Sequence, residues 1–365
     1  MSRKLQRQHS QRKHSQPNPS QPHSWAWISF GGVGILVALS WVFFLQDGSA
    51  GSRGRGRISR WTLGDIPFDG SRSFKFLQEI CEIGPRPSGS KGMQQQQEML
   101  TEHFVRLGAQ VSMQEWDERH PLDGSRVSMK NMIIEWHPER LDRIVLCAHY
   151  DTRPYPDQDP VNPRGVFVGA NDGASGVALL CELGRHMPKF RSVYGVDFVF
   201  FDAEEFVFPD DRGKYFLGSE YFAKSYLAQV PRHRYHWGVL FDMVGDEDLH
   251  LYREKNSYLW SDTRPLVKDI WSTARAMQVT EFIDRTRHKI RDDHLALHDI
   301  AKIPTCDIID FDYPRTSGVK YWHTEQDTPE KCSALSLAKV GWVTLEWLKR
   351  VEKSLPPEPL VRERD

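Results

Sequence analysis

The chain lacks a charge imbalance, a cysteine knot and any internal repeat, and each absence narrows what it does. Forty-eight Lys and Arg stand against 49 Asp and Glu, leaving a formal net charge of -1, which gives no reason to expect nucleic acid or an acidic substrate. Five cysteines (Cys81, Cys147, Cys181, Cys306 and Cys332) are scattered along 365 residues without a CxxC pair, so a structural thiolate metal knot is excluded. Cys147 and Cys306 fall in apolar runs and read as core residues; an exported domain would leave room for one disulfide, whose partners the spacing does not define. What remains is an ordinary globular composition, 39% hydrophobic and 27% charged, with enough apolar material for a sizeable core.

Long apolar runs are also scarce, with one exception. Residues 25–45 contain no charged side chain, and their length at about 1.5 Å per residue nearly matches a bilayer core of about 30 Å. Trp25, Trp27 and Trp41 lie near the ends of the run, as interfacial anchors do. Ahead of it, residues 1–24 are rich in Gln, Ser, His and Pro and carry Arg3, Lys4, Arg7, Arg12 and Lys13, the composition of a disordered basic head that stays in the cytoplasm. The expected arrangement is a signal anchor at 25–45, a Gly/Ser/Arg linker at 46–60, a folded domain at 61–353 outside the cytoplasm (periplasmic or lumenal), and a tail at 354–365. The alternative is secretion after cleavage at "GSA" (residues 48–50), although the run exceeds the usual h-region of about 7–15 residues.

Within the domain, β-type runs at 131–136, 143–150, 196–202, 237–243 and 303–311 alternate with helical spacing at 93–107, 174–187, 219–227, 265–277 and 335–351. That alternation predicts an α/β fold of three αβα layers around a mostly parallel mixed sheet. Ligand sites in such sheets lie beyond the carboxyl ends of the strands. Those ends carry His149 with Asp151, the pair Glu204–Glu205, Asp242, and His323 after the last strand, while Asp172 opens a helix. His and carboxylate without thiolate is the donor set of catalytic zinc, with Asp151 placed to orient the His149 ring. Each residue taken alone also reads as a solvated loop acid or, for Asp172, a helix cap; their convergence on one edge favours the metal. Glu204 and Glu205, on an extended strand end, are expected to point to opposite sides by simple alternation.

Taken in order, "HYDT", "GANDGASG", "FDAEE", "FLGSEYFA", "LFDMVG" and "YWHTEQDTPE" resemble the sequential motifs of the M28 zinc aminopeptidases and their relatives, the glutaminyl-peptide cyclotransferases (glutaminyl cyclases), across residues 74–349. The resemblance implies the M28-type fold. It implies one zinc on Asp172, Glu205 and His323 if the chain is a cyclase, and a second metal on His149 and Asp242, bridged by Asp172, if it is an aminopeptidase.

"RDDHLALHDIAKIPTCDIIDFDYP" is similar to the cyclases' Asp-Asp-His segment, which implies a proton-handling partner for Asp242. The implied catalytic set is Glu204, Asp242 and Asp293, with Trp322, Asp292 and His294 at the substrate. The pocket Trp that animal-type cyclases carry after the Glu pair is missing, and Tyr215, Phe216 or Phe208 is the candidate to fill its space. The implied reaction is pyroglutamate formation from an N-terminal Gln of a peptide or protein, with ammonia released. The alternative is hydrolysis of the first peptide bond by a two-zinc aminopeptidase, and a third reading is a tethered peptide-binding domain without catalysis.

Overall fold

The computed structural model describes residues 59–210, 212–228, 233–315 and 320–351. The basic head, the apolar run at 25–45, nearly all of the linker and the tail at 354–365 lie outside the described residues. Among the described residues no helix is long and apolar enough to cross a membrane.

Two capped helices open the domain: α1 (Gly70–Glu82), where the Asp69 carboxylate accepts from the Arg72 N–H, and α2 (Lys91–Arg106), where the Ser90 hydroxyl accepts from Met93. The chain then runs through β1 (Gln110–Arg119), β2 (Arg126–Trp136), β3 (Asp142–His149), α3 (Ala174–Gly184) and β4 (Gly195–Phe201). A short ribbon of β5 (Val207–Phe208) and β6 (Arg212–Gly213) precedes α4 (Leu217–Ala228) and β7 (Arg234–Asp242). After these come β8 (Leu251–Glu254), α5 (Lys255–Leu259), α6 (Arg264–Ala276), β9 (Phe282–Arg287), α7 (His294–Asp299), β10 (Thr305–Ile309) and α8 (Ala334–Val351).

The main sheet has the order β1-β2-β4-β3-β7-β10, and β4, β3, β7 and β10 are mutually parallel while β2 runs against its neighbours. This is the mostly parallel mixed sheet expected. Period-two alternation divides its side chains between two cores. Ile144, Leu146, Phe198 and Phe200 pack toward α1, α2, α3, α6 and α8; Val145, Cys147, Val199 and Phe201 pack toward α4 and α7. Helices on both faces explain why these strands read as unbroken apolar runs. All five cysteines are buried free thiols.

The end of the sheet opposite the strands' carboxyl edge is pinned by a buried ion pair. Arg143 on β3 donates through Nε to Asp197 on β4 at 2.9 Å and again through Nη2, and the Tyr235 hydroxyl on β7 donates to the same carboxylate at 2.5 Å. Arg143 also donates to the carbonyls of Trp136, His137 and Arg140. Removing one partner leaves the other charge buried and uncompensated. Asp197→Ala is therefore expected to destabilise the domain by about 3–5 kcal/mol, read as a fall in the urea midpoint; an unchanged midpoint would show that the pair is dispensable.

Candidate active site

Parallel strands deliver their last residues to one edge, and three departures from regular backbone aim the side chains there. Ala203 after β4, Met243 after β7 and His323 all hold positive φ, at 58°, 46° and 55°, a conformation that ordinary residues keep only when the surroundings enforce it. The turn at Ala203 corrects the expectation for the Glu pair: β4 ends at Phe201, so Glu204 and Glu205 diverge because the chain turns, not because a strand alternates. Asp151 clamps that turn, accepting from the Glu204 N–H at 3.2 Å and the Glu205 N–H at 3.0 Å. Its carboxylate stands 3.6 Å from His149 Nδ1, so holding the Glu pair is its closer contact.

Two overlapping groups of His and carboxylate result: Asp172 with Glu205 and His323, and Asp172 with His149 and Asp242. In the first, His323 Nε2 lies 2.8 Å from Glu205 Oε1 and 3.4 Å from Asp172 Oδ2; in the second, His149 Nε2 lies 3.2 Å from both Asp172 Oδ1 and Asp242 Oδ1. Asp172 is not a helix cap. Gly173 holds that position at φ 104°, where a Cβ would meet the Asp151 carbonyl at 2.8 Å, and the Asp172 Oδ2 atom is buried without a hydrogen-bond partner. Burial lowers the His323 pKa, yet Glu205, Asp157 and Asp172 together pull it up to about 9. These carboxylates demand a positive charge, and N/O donors at this spacing fit a zinc ion.

Sequence reasoning missed what surrounds these groups. The Arg153 guanidinium, 3% exposed, donates from Nη1 to Glu205 Oε2, from Nε and Nη2 to Asp157 at 2.7 and 2.8 Å, and to the Tyr215 hydroxyl at 3.0 Å. Asp157 Oδ1 in turn lies 3.4 Å from His323 Nδ1. Burial raises the Glu205 carboxyl, but His323 and Arg153 outweigh it and hold the group well below the usual range. On the other side, Asp327 accepts from the backbone N–H groups of Asn171 and Asp172 at 2.8 and 3.0 Å and from the Tyr313 hydroxyl at 2.9 Å. The Arg153–Asp157 pair thus steadies the Glu205 and His323 side chains, and Asp327 holds the backbone that carries Asp172.

A cavity of about 320 Å³ opens over both groups, near the lower end of the range for small-ligand sites. Glu204, Asp242 and Asp292 face it, with Trp322 and Phe311 on one wall and Tyr215 and Phe216 on another. Trp322 stacks on the His323 ring at 3.8 Å between centroids. Phe208 packs instead against Phe206 and His120, so of the three candidate aromatics Tyr215 and Phe216 line the cavity. Burial raises the Glu204 carboxyl well above its ordinary value, and the Glu205 charge adds to this; a cation beside Glu205 would reverse the second effect.

Two of the expected site residues stand back from the cavity. Asp293 does not line the cavity: it is fully buried at the start of α7 beside Ser219, its carboxyl pushed up to about 7 by burial. His294 is equally buried and touches no substrate space, with Nε2 3.5 Å from Glu254 and Nδ1 3.7 Å from Asp307. Asp292 is the acid of this segment that reaches the cavity, with Asp242 the charge that acts on it most strongly.

A mostly parallel α/β sheet that gathers His and carboxylate groups at one edge defines the class, an α/β protein with a candidate metal centre. Residues 131–348 match the model of peptidase family M28, and the chain belongs to that family. A crystal structure of Fimbriiglobus ruber glutaminyl cyclase is 40% identical with a TM-score of 0.72, covering 78% of this chain and 96% of that one. One of a leucine aminopeptidase precursor from Bacteroides thetaiotaomicron is 32% identical with a TM-score of 0.70, covering 77% and 97%.

Among curated relatives, aminopeptidase YwaD of Bacillus subtilis is 25% identical over 236 residues, 62% of this chain and 44% of its own length. The Bos taurus glutaminyl-peptide cyclotransferase is 33% identical over 88 residues, 21% of this chain and 23% of its own. The chain spans less than half the length of these curated relatives.

Proposed function

We propose that the chain is a zinc-dependent glutaminyl-peptide cyclotransferase, closing the N-terminal Gln of a peptide or protein to pyroglutamate with release of ammonia. The observation that carries this reading is 40% identity to a glutaminyl cyclase over 96% of that protein's length. A small acid-floored cavity with aromatic walls supports it, since it suits one side chain and its α-amine better than an extended peptide.

Asp172, Glu205 and His323 would hold the zinc, and a zinc there supplies Lewis-acid polarisation of the γ-carbonyl. The chain's own side chains do the rest. As the α-amine nitrogen bonds to Cδ, the carbon of the side-chain amide, Glu204 takes the proton that this nitrogen loses. It then passes that proton to the amide nitrogen, which leaves as ammonia and restores the Glu204 carboxylate. Attacking amine and carbonyl belong to one residue, so orientation in the cavity replaces any outside nucleophile. Burial and the Asp242 charge push the Asp292 carboxyl well up, and Asp242 and Asp292 both face the cavity where the substrate nitrogens would lie.

The His149–Asp172–Asp242 group favours a second reading, because its 3.2 Å spacings suit a second metal. In a two-zinc aminopeptidase of this kind Glu204 would take its proton from a water that attacks the first peptide bond. Elemental analysis of purified, dialysed protein separates the two: one zinc per chain is expected, and two retained equivalents would favour the peptidase. We also place the domain outside the cytoplasm, tethered through the uncharged run at 25–45 or released by cleavage after it. The basic head ahead of that run supports this orientation.

A further inference from the structure

The cavity floor is acidic, but its mouth is not. The segment joining β9 to α7 runs past the opening with its side chains alternating: Ile290 and Asp292 are buried, while Lys289 and Arg291 are exposed at the rim. The other cations of this stretch are engaged, Arg285 and Arg287 lying over the Tyr252 ring and Arg287 pairing with Asp312 at 2.6 Å. Lys289 and Arg291 have no ion-pair partner among the described residues. Arg291 is the exposed chain neighbour of Asp292, the acid of this segment that lines the cavity, their Cα atoms being roughly 3.8 Å apart along the chain. A peptide whose first residue fills the cavity would bring its second residue to the rim that Lys289 and Arg291 line.

From this geometry we infer that Lys289 and Arg291 determine specificity: they recognise a carboxylate on the residue that follows the N-terminal one. The inference rests on the cyclase reading and refines its substrate class. The floor carboxylates attract the α-amine but repel an acidic neighbour, and the two rim cations reverse that repulsion locally, an effect invisible in the net charge of the chain. The carboxylate can be an acidic side chain or the chain terminus of a dipeptide.

The test compares ammonia release from Gln-Gln-amide, Gln-Glu-amide and Gln-Gln with a free carboxyl terminus. Exposed charge pairs of this kind support a gain in kcat/KM of about three- to tenfold for the acidic peptides, which should fade at about 1 M salt, where the screening length is about 3 Å. A gain confined to Gln-Glu-amide assigns the rim to side chains, and one confined to the free-acid dipeptide assigns it to chain termini. In the double variant Lys289→Gln/Arg291→Gln the ratio should fall to about one while Gln-Gln-amide is turned over as before. Equal, measurable rates for all three peptides in the unmodified protein would overturn the rim proposal alone. No ammonia from any of them would overturn the cyclase reading and the rim proposal with it.

Discussion

Glu204→Gln is expected to lower ammonia release from Gln-initiated peptides by about 10²–10⁴-fold while leaving the zinc content of the protein unchanged. The substitution keeps the side chain's size and removes its ability to take a proton. Glu204 faces the cavity, whereas Glu205 is spent on His323 and Arg153, so the two neighbours should respond differently to the same change. Stability gives an independent check. The Glu204 carboxylate is disfavoured by burial and by Glu205, so the metal-free variant should melt at the same temperature as the parent or higher. Lost zinc would mean that Glu204 is a ligand, and retained activity would mean that another group handles the proton.

Asp172→Ala should have the larger effect, because Asp172 is shared by both His and carboxylate groups. Losing it removes a donor from each, and the expected result is loss of bound zinc with a fall in turnover of about 10³-fold or more, the several kcal/mol that Lewis-acid stabilisation supplies. The fold should survive. Asp327 holds this loop through the backbone N–H groups of residues 171 and 172, which the substitution keeps, and the Asp172 carboxyl is itself disfavoured by burial and by Glu205 and Asp242. Zinc retained at the parent level would remove Asp172 from the ligand set.

The architecture was legible because buried parallel strands write themselves as apolar runs, and those at 143–150, 196–202 and 237–243 fell close to the observed β3, β4 and β7. Strand β1 was not legible: it is a polar edge strand whose residues alternate between exposed and half-buried, so it carries no apolar run. The short β8, β9, α5 and α7 were likewise too brief to show a period. At the site, convergence of the five candidate ligands followed from their places at strand ends, but the direction of neighbouring side chains did not.

A left-handed Ala203 decides how the Glu pair diverges. The entry into α7 decides that Asp292 faces the cavity while Asp293 and His294 turn inward. Arg153 gave a weaker signal still, since its meaning comes from Glu205, 52 positions away in the chain.

The most direct test of the central claim is one reaction vessel assayed two ways, ammonia release from a Gln-initiated dipeptide amide beside free amino acid release from Leu- and Ala-initiated ones. The cyclase account predicts ammonia in step with pyroglutamate and no amino acid released. Free leucine or alanine without ammonia would contradict it and leave the two-zinc aminopeptidase standing.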